Sequence, residues 1–168
     1  MPSIPSWALT LTYWLHMLAT VAWIGSLAAI NILILPASQR TLNLVQQLSL
    51  IATVQKRLEP IAWFCIGIIT FTGLIQMSTH EHYDGFLSIS TQWSIAILAK
   101  HILGVLMIIV SAIQTWEVFP AIQRILLKKE KADEAELTKL QKRENRLVRI
   151  NLLLSLAILL ATAIARVS

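Results

Sequence analysis

Four stretches of this chain contain almost nothing that water could hold. Residues 7–35, 61–76, 93–116 and 150–165 are mostly aliphatic and aromatic, and together they carry one lysine, two histidines and no acid. A run of about 17 to 25 apolar residues is long enough to cross the hydrocarbon core of a bilayer as a helix. The two shorter runs reach that length by borrowing flanking residues. Helix is the form such a run takes there, because its backbone groups then find their partners within the segment. Composition agrees, with 56% hydrophobic and only 14% charged residues, where an ordinary soluble domain carries about a quarter charged. The chain is therefore predicted to be an all-α integral membrane protein. The expected architecture is one membrane domain over residues 1–168, an antiparallel four-transmembrane-helix bundle.

The first run does not read as a cleaved leader, since no positive charge precedes it and it is longer than a leader's apolar core. The single cysteine, Cys65, lies in the second run and allows no intramolecular disulfide. The basic balance of +5 is unevenly distributed. Residues 36–59 carry Arg40, Lys56 and Arg57, and residues 117–149 carry nine basic side chains, whereas residues 77–92 carry none. Lys and Arg stay on the cytoplasmic side, so both termini and the 77–92 loop are expected outside and the two basic connections inside. A bacterial inner (plasma) membrane is the expected location. Nucleic acid is not an expected partner, because the basic residues sit beside spans and six acids interleave them in 117–149.

Between the spans, residues 39–58 space Leu42, Val45, Leu48, Ile51, Val54 and Leu58 at roughly helical intervals, which predicts an amphipathic helical connector lying on, or leading into, the inner face. Pro60 would then fall in the first turn of the second span, and Pro120 would disturb any helix continuing past Trp116. An Asp-Gly pair at 84–85 signals a turn in the outer loop. Residues 117–149 are predicted to form an extended cytoplasmic helical hairpin, with opposite-charge pairs such as Lys129–Asp133 and Glu136–Lys139 on its surface.

Histidines inside hydrocarbon call for an explanation, since a polar ring there is costly without a partner. His16 stands nine residues in from Trp7 and His101 eight residues in from Trp93. On the topology above both imidazoles lie about 12–14 Å below the outer surface. Thr12, Thr20 and Trp23 flank His16 on one helical face, and Gly104 follows His101 at i+3, leaving room for something flat. Two histidines at one depth on different helices of a four-helix bundle suit the axial positions of a b-type haem. The simpler alternative is that each hydrogen-bonds a threonine, a serine or a helix carbonyl. Lys100 could snorkel to the surface, pair with a haem propionate or carry a proton. Met17 and Met107 are soft potential copper ligands, although methionine in such a core often only packs. In the outer segment "MSTHEHY", Met77, His80 and His82 could capture copper, with Glu81 or Asp84 completing the set, or form a solvated loop.

The stretch "WLHMLATVAWIGSL" resembles the first helix of the copper-resistance protein D family and of related protoporphyrinogen oxidase-like membrane proteins, with His16, Trp23 and Gly25 at matching positions. "KRLEPIAWFCIGIITFTGLIQ" resembles the second helix of the family, and "WSIAILAKHILGVLMIIVSA" the third, with Lys100 as its lysine and Ile97 where leucine is frequent. The resemblance implies two chemistries: moving or tolerating copper in the first group, and haem b bound through the first-helix histidine in the second. His16 and Lys100 carry over by motif, and His101 is added by depth. The further arginines of the porphyrinogen-oxidising branch are not matched near the first helix, Arg40 lying well beyond it. The expectation is a membrane-embedded b-type haem protein acting as a redox or electron-transfer module. The alternatives are a copper-handling membrane protein, for uptake or resistance, and a structural accessory subunit docking through the charged hairpin. Expected partners are the lipid bilayer, a membrane redox partner or larger complex, and a second copy of the chain.

The topology has a direct test. A cysteine introduced at Ser88 should label from outside with an impermeant thiol reagent, and one at Ala132 should not; the reverse pattern would invert the orientation.

Overall fold

The computed structural model describes residues 5–81, 83, 85–127 and 134–167, and among them every regular element is helical. Helix α1 (Ser6–Ala29) passes through a single π-helical turn (Ile30–Ile34) into α2 (Leu35–Thr41). After a break at Leu42 and Asn43 comes α3 (Leu44–Ser78). Helix α4 (Gln92–Ile113) passes through a second π turn (Gln114–Val118) into α5 (Phe119–Leu127), and α6 (Glu134–Val167) completes the chain. The result is four rods of 34 to 36 residues, each apolar enough over part of its length to cross a membrane. At 1.5 Å per residue each is about 50 Å long, well beyond the ~30 Å of hydrocarbon.

That length revises two details of the sequence reading. From Leu44 onward the 39–58 segment leads into span two as the first half of α3, so Pro60 lies inside that helix rather than in a first turn. The arms of the hairpin likewise continue spans three and four rather than forming separate helices. Helices α3 and α4 begin where the chain supplies a cap. Asn43 accepts from the Gln46 backbone N–H while the Gln46 side chain accepts from the Asn43 N–H, a reciprocal box that starts α3. Thr91 and Ser94 do the same for α4. Pro36 and Pro120 end nothing, each being the second residue after a π turn. A proline ring crowds the carbonyl four residues back, and the wider π turn moves that carbonyl aside. In the loop between α3 and α4 Gly85 takes φ 117°, a backbone region that L side chains rarely adopt. The Lys129–Asp133 pair lies outside the described residues.

Packing follows the chain: α1 lies along α3 and α4 along α6, each pair antiparallel, with α1 also touching α6 and α3 touching α5. A central core gathers Ala19, Trp23, Leu27, Cys65, Ile66 and Met107. A second core, of Leu48, Ala52, Val118, Ile122, Ile125 and Leu137, fills the hairpin end. The outward faces are apolar too, with Phe64 69% and Phe71 68% exposed. In water such a belt would be an aggregation surface, and around a spanning bundle it meets lipid tails. This is an integral membrane protein. At the hairpin end Arg143 pairs with Glu117 at 2.7 Å, and Gln141 donates to Gln47 across α6 and α3.

The capping box predicts a measurable effect. Asn43→Ala should lower stability by about 1 kcal/mol, read as a reduced thermal midpoint in detergent; an unchanged midpoint would mean that packing alone starts α3.

Candidate functional site

The first-helix histidine finds its partner on α3. His16 Nδ1 lies 2.8 Å from Thr72 Oγ1. Proton bookkeeping fixes the direction of that bond. The Thr72 hydroxyl hydrogen goes to the Ile68 carbonyl at 2.6 Å, so the oxygen must accept from His16 Nδ1–H. Neutral His16 therefore carries its lone pair on Nε2, the tautomer that a metal-ligating histidine adopts. Thr12 and Thr20, which flank His16 on its helical face, turn their hydroxyls to the carbonyls of Ala8 and His16 in their own helix. The absence of a side chain at Gly73 makes the close approach possible, since a Cβ there would stand 3.3 Å from His16 Cε1. Lys100 of α4 lies within coulombic reach of the ring. The structure thus brings His16 and Lys100 together and adds Thr72, which the sequence displayed only as the Thr-Gly pair at the end of its second apolar run.

His101 keeps different company. Its Nδ1 donates to the Ile97 carbonyl at 2.7 Å, again leaving Nε2 with the lone pair, and its ring meets Phe86 edge-on at 4.9 Å. Each imidazole thus has a protein partner of the kind the simpler alternative expected, a threonine for His16 and a helix carbonyl for His101. A porphyrin between them would need a flat slot, whereas α3 packs at Gly73 against one ring and Phe86 packs against the other. The surroundings lend a haem no support.

Seven residues along each helix, two turns or ~10 Å on the same face, a second layer appears. From His16, Thr72 and Lys100 the step leads to Trp23, Cys65 and Met107, all members of the central core. Cys65 and Met107 thus put two soft sulfur side chains in one buried cluster. Cys65 went unremarked as a donor in the sequence because its partner layer is set by packing. Met17, by contrast, is 63% exposed and faces away from the bundle. A further seven residues lead to Ile30, Leu58 and Gln114, which line an interhelical cavity.

The trio of Met77, His80 and His82 is only partly described. Met77 is buried, His80 stacks its ring on Trp93 at 4.4 Å, and His82 lies outside the described residues. Among the described residues no three His, Cys, Asp or Glu side chains converge as a metal cluster.

Residues 52–165 match the model of the family described as copper resistance protein D. That interval contains Cys65, Thr72, Lys100, His101 and Met107 and stops short of His16. No curated protein and no solved structure matches the chain.

Thr72→Val removes the hydroxyl acceptor that the half-buried His16 N–H uses. It should cost about 1–3 kcal/mol in thermal unfolding and shift the His16 ring nitrogens in a ¹⁵N spectrum. Unchanged nitrogen signals would break the tautomer assignment.

Proposed function

This chain belongs to the copper resistance protein D family, and from that premise we propose that it handles copper as Cu(I) inside the helix bundle. The observation that carries the reading is the His16 ring, its Nδ1 bonded to Thr72, set one layer above the sulfur atoms of Cys65 and Met107. Cu(I) is a soft cation that favours thiolate and thioether donors and accepts imidazole. A ring whose Nδ1–H is held by Thr72 offers one such donor without rotating, and the sulfur pair offers the next about 10 Å deeper. Oxygen-seeking ions find nothing comparable in these two layers. Lys100 opposes the cargo, because an ammonium beside His16 repels a second positive charge. Copper is here a transported or buffered substrate, with the basic connections on the cytoplasmic side and the loop between α3 and α4 outside. The outer Met77, His80 and His82 segment is the entry that this orientation would favour.

The haem-based redox reading has less behind it, since His16 and His101 have separate surroundings. An absorption spectrum distinguishes the two readings. Protein purified from haem-sufficient cells should show no Soret band, and a band abolished by His16→Ala would restore haem.

The copper reading is tested by anaerobic competition against a Cu(I) chelator. His16→Ala and the double variant Cys65→Ser/Met107→Leu should each weaken Cu(I) binding by at least about tenfold, or ~1.4 kcal/mol. Lys100→Met should tighten it by relieving repulsion. Unchanged affinity in both donor-deleted variants would remove the proposal.

A further inference from the structure

At the hairpin end, a carboxyl group is buried among amides. Glu144 is only 2% exposed, and it precedes the apolar stretch of α6, which begins after Arg149. Its Oε1 accepts from Gln55 Nε2 of α3 and from Gln114 Nε2 of the second π turn, the latter at 3.2 Å. Gln114 Oε1 in turn accepts from Asn151 Nδ2 at 3.1 Å. Asn151 Nδ2 also reaches Ser111 Oγ at 3.0 Å, and the Ser111 hydroxyl donates to the Met107 carbonyl. A continuous polar chain therefore runs from Glu144 to the edge of the sulfur layer.

Beside this chain lies a cavity of about 70 Å³ whose wall includes Gln55, Ser111, Gln114 and Asn151. In this measure a water needs roughly 10–15 Å³, so the space holds several. It opens where two helices are irregular. Pro60 of α3 has no N–H for the Lys56 carbonyl, and the π turn widens α4 opposite it. Asn151 is 1% exposed and its Oδ1 has no partner. A buried carbonyl oxygen without a donor is costly, and a cavity water would supply one.

Among the described residues no cation is paired with Glu144. Of the charged groups on the elements around it, α3 brings Glu59 in the cavity wall and exposed Lys56, and α2 brings exposed Arg40. The π turn brings Glu117, paired with Arg143. Arg124 of α5 is bound to the Pro120 carbonyl, and Lys142 and Arg146 of α6 are exposed. A carboxylate so enclosed is expensive unless its charge is neutralised.

We propose that Glu144 is a proton-loading site served by the hydrated cavity beside it, with water held by Asn151, Ser111 and Gln55 as its exchange partner. On release the carboxyl O–H bond breaks and an O–H bond forms on a water that reaches Glu144 past Gln55 and Gln114, the two side chains that both bind the carboxyl and line the cavity; uptake is the reverse, and no electrons are exchanged. Burial raises the Glu144 pKa to about 7, against the pull of the Gln114 and Gln55 donors on the ionised form. Both protonation states are therefore populated near neutral pH. The site needs no copper and stands apart from the reading above.

Infrared spectroscopy of the full chain in nanodiscs tests it. A carboxylic C=O band should diminish as pH rises through neutrality and be missing in Glu144→Gln. Gln55→Leu and Gln114→Leu, each removing a donor to the ionised form, should move the midpoint upward. Should Glu144→Gln not fold, these two variants decide, and unmoved midpoints in both would overturn the proposal. So would a band that titrates only in the ordinary carboxylate range, or one that persists in Glu144→Gln. A midpoint that falls when sodium replaces choline at constant ionic strength would make the ligand a metal ion and would equally overturn it.

Discussion

Hydrocarbon offers no hydrogen-bond partner, and the interior of this protein is arranged around that constraint. Thr12, Thr20 and Thr72 return their hydroxyls to carbonyls of their own helices. Asn31 shares its amide between the Leu27 carbonyl of its own helix and the Val148 carbonyl of α6. Once those local needs are met, Thr72 still has an accepting lone pair, and that lone pair orients His16. The ring then presents one nitrogen and not the other. The chemistry available in the first layer thus follows from how a threonine hydroxyl disposes of its single hydrogen.

A seven-residue step on each helix separates side chains of different character. An imidazole with a lysine comes first, then sulfur with tryptophan, then amides around a cavity. Helix α6 keeps the same step, with Ile158 against the sulfur layer, Asn151 at the cavity and Glu144 beyond it. The donor character hardens along the bundle, from nitrogen and sulfur to amide and carboxyl oxygen. A soft cation is therefore favoured in the upper half and a proton in the lower.

The bundle itself could be read from the sequence, because charge depletion over four runs leaves few alternatives. His16 stood out for the same reason, being a polar ring in an apolar run. Its tautomer could not be read, since it depends on a threonine 56 positions away whose own hydrogen is committed locally. Glu144 was hidden differently. It lies in a segment crowded with acids and bases, a composition that suggests a solvated surface, and only packing against Gln55 and Gln114 withdraws it from water. The glutamines of 39–58 misled in the same way, since Gln47 and Gln55 face α6 rather than a headgroup layer. The π turns leave no trace in composition, and so helices were expected to end at prolines through which they run.

Helix α3 carries both Thr72, which orients the histidine, and Gln55, which binds the buried acid. The two are 17 positions apart on one 35-residue helix, a distance of about 26 Å. Between them, at Pro60, the backbone lacks one hydrogen bond, so this is where the rod resists bending least. The segment before Pro60 can tilt with the glutamines it carries while the segment after it stays packed against α1. Mechanically α3 behaves as two stiff levers on a compliant joint.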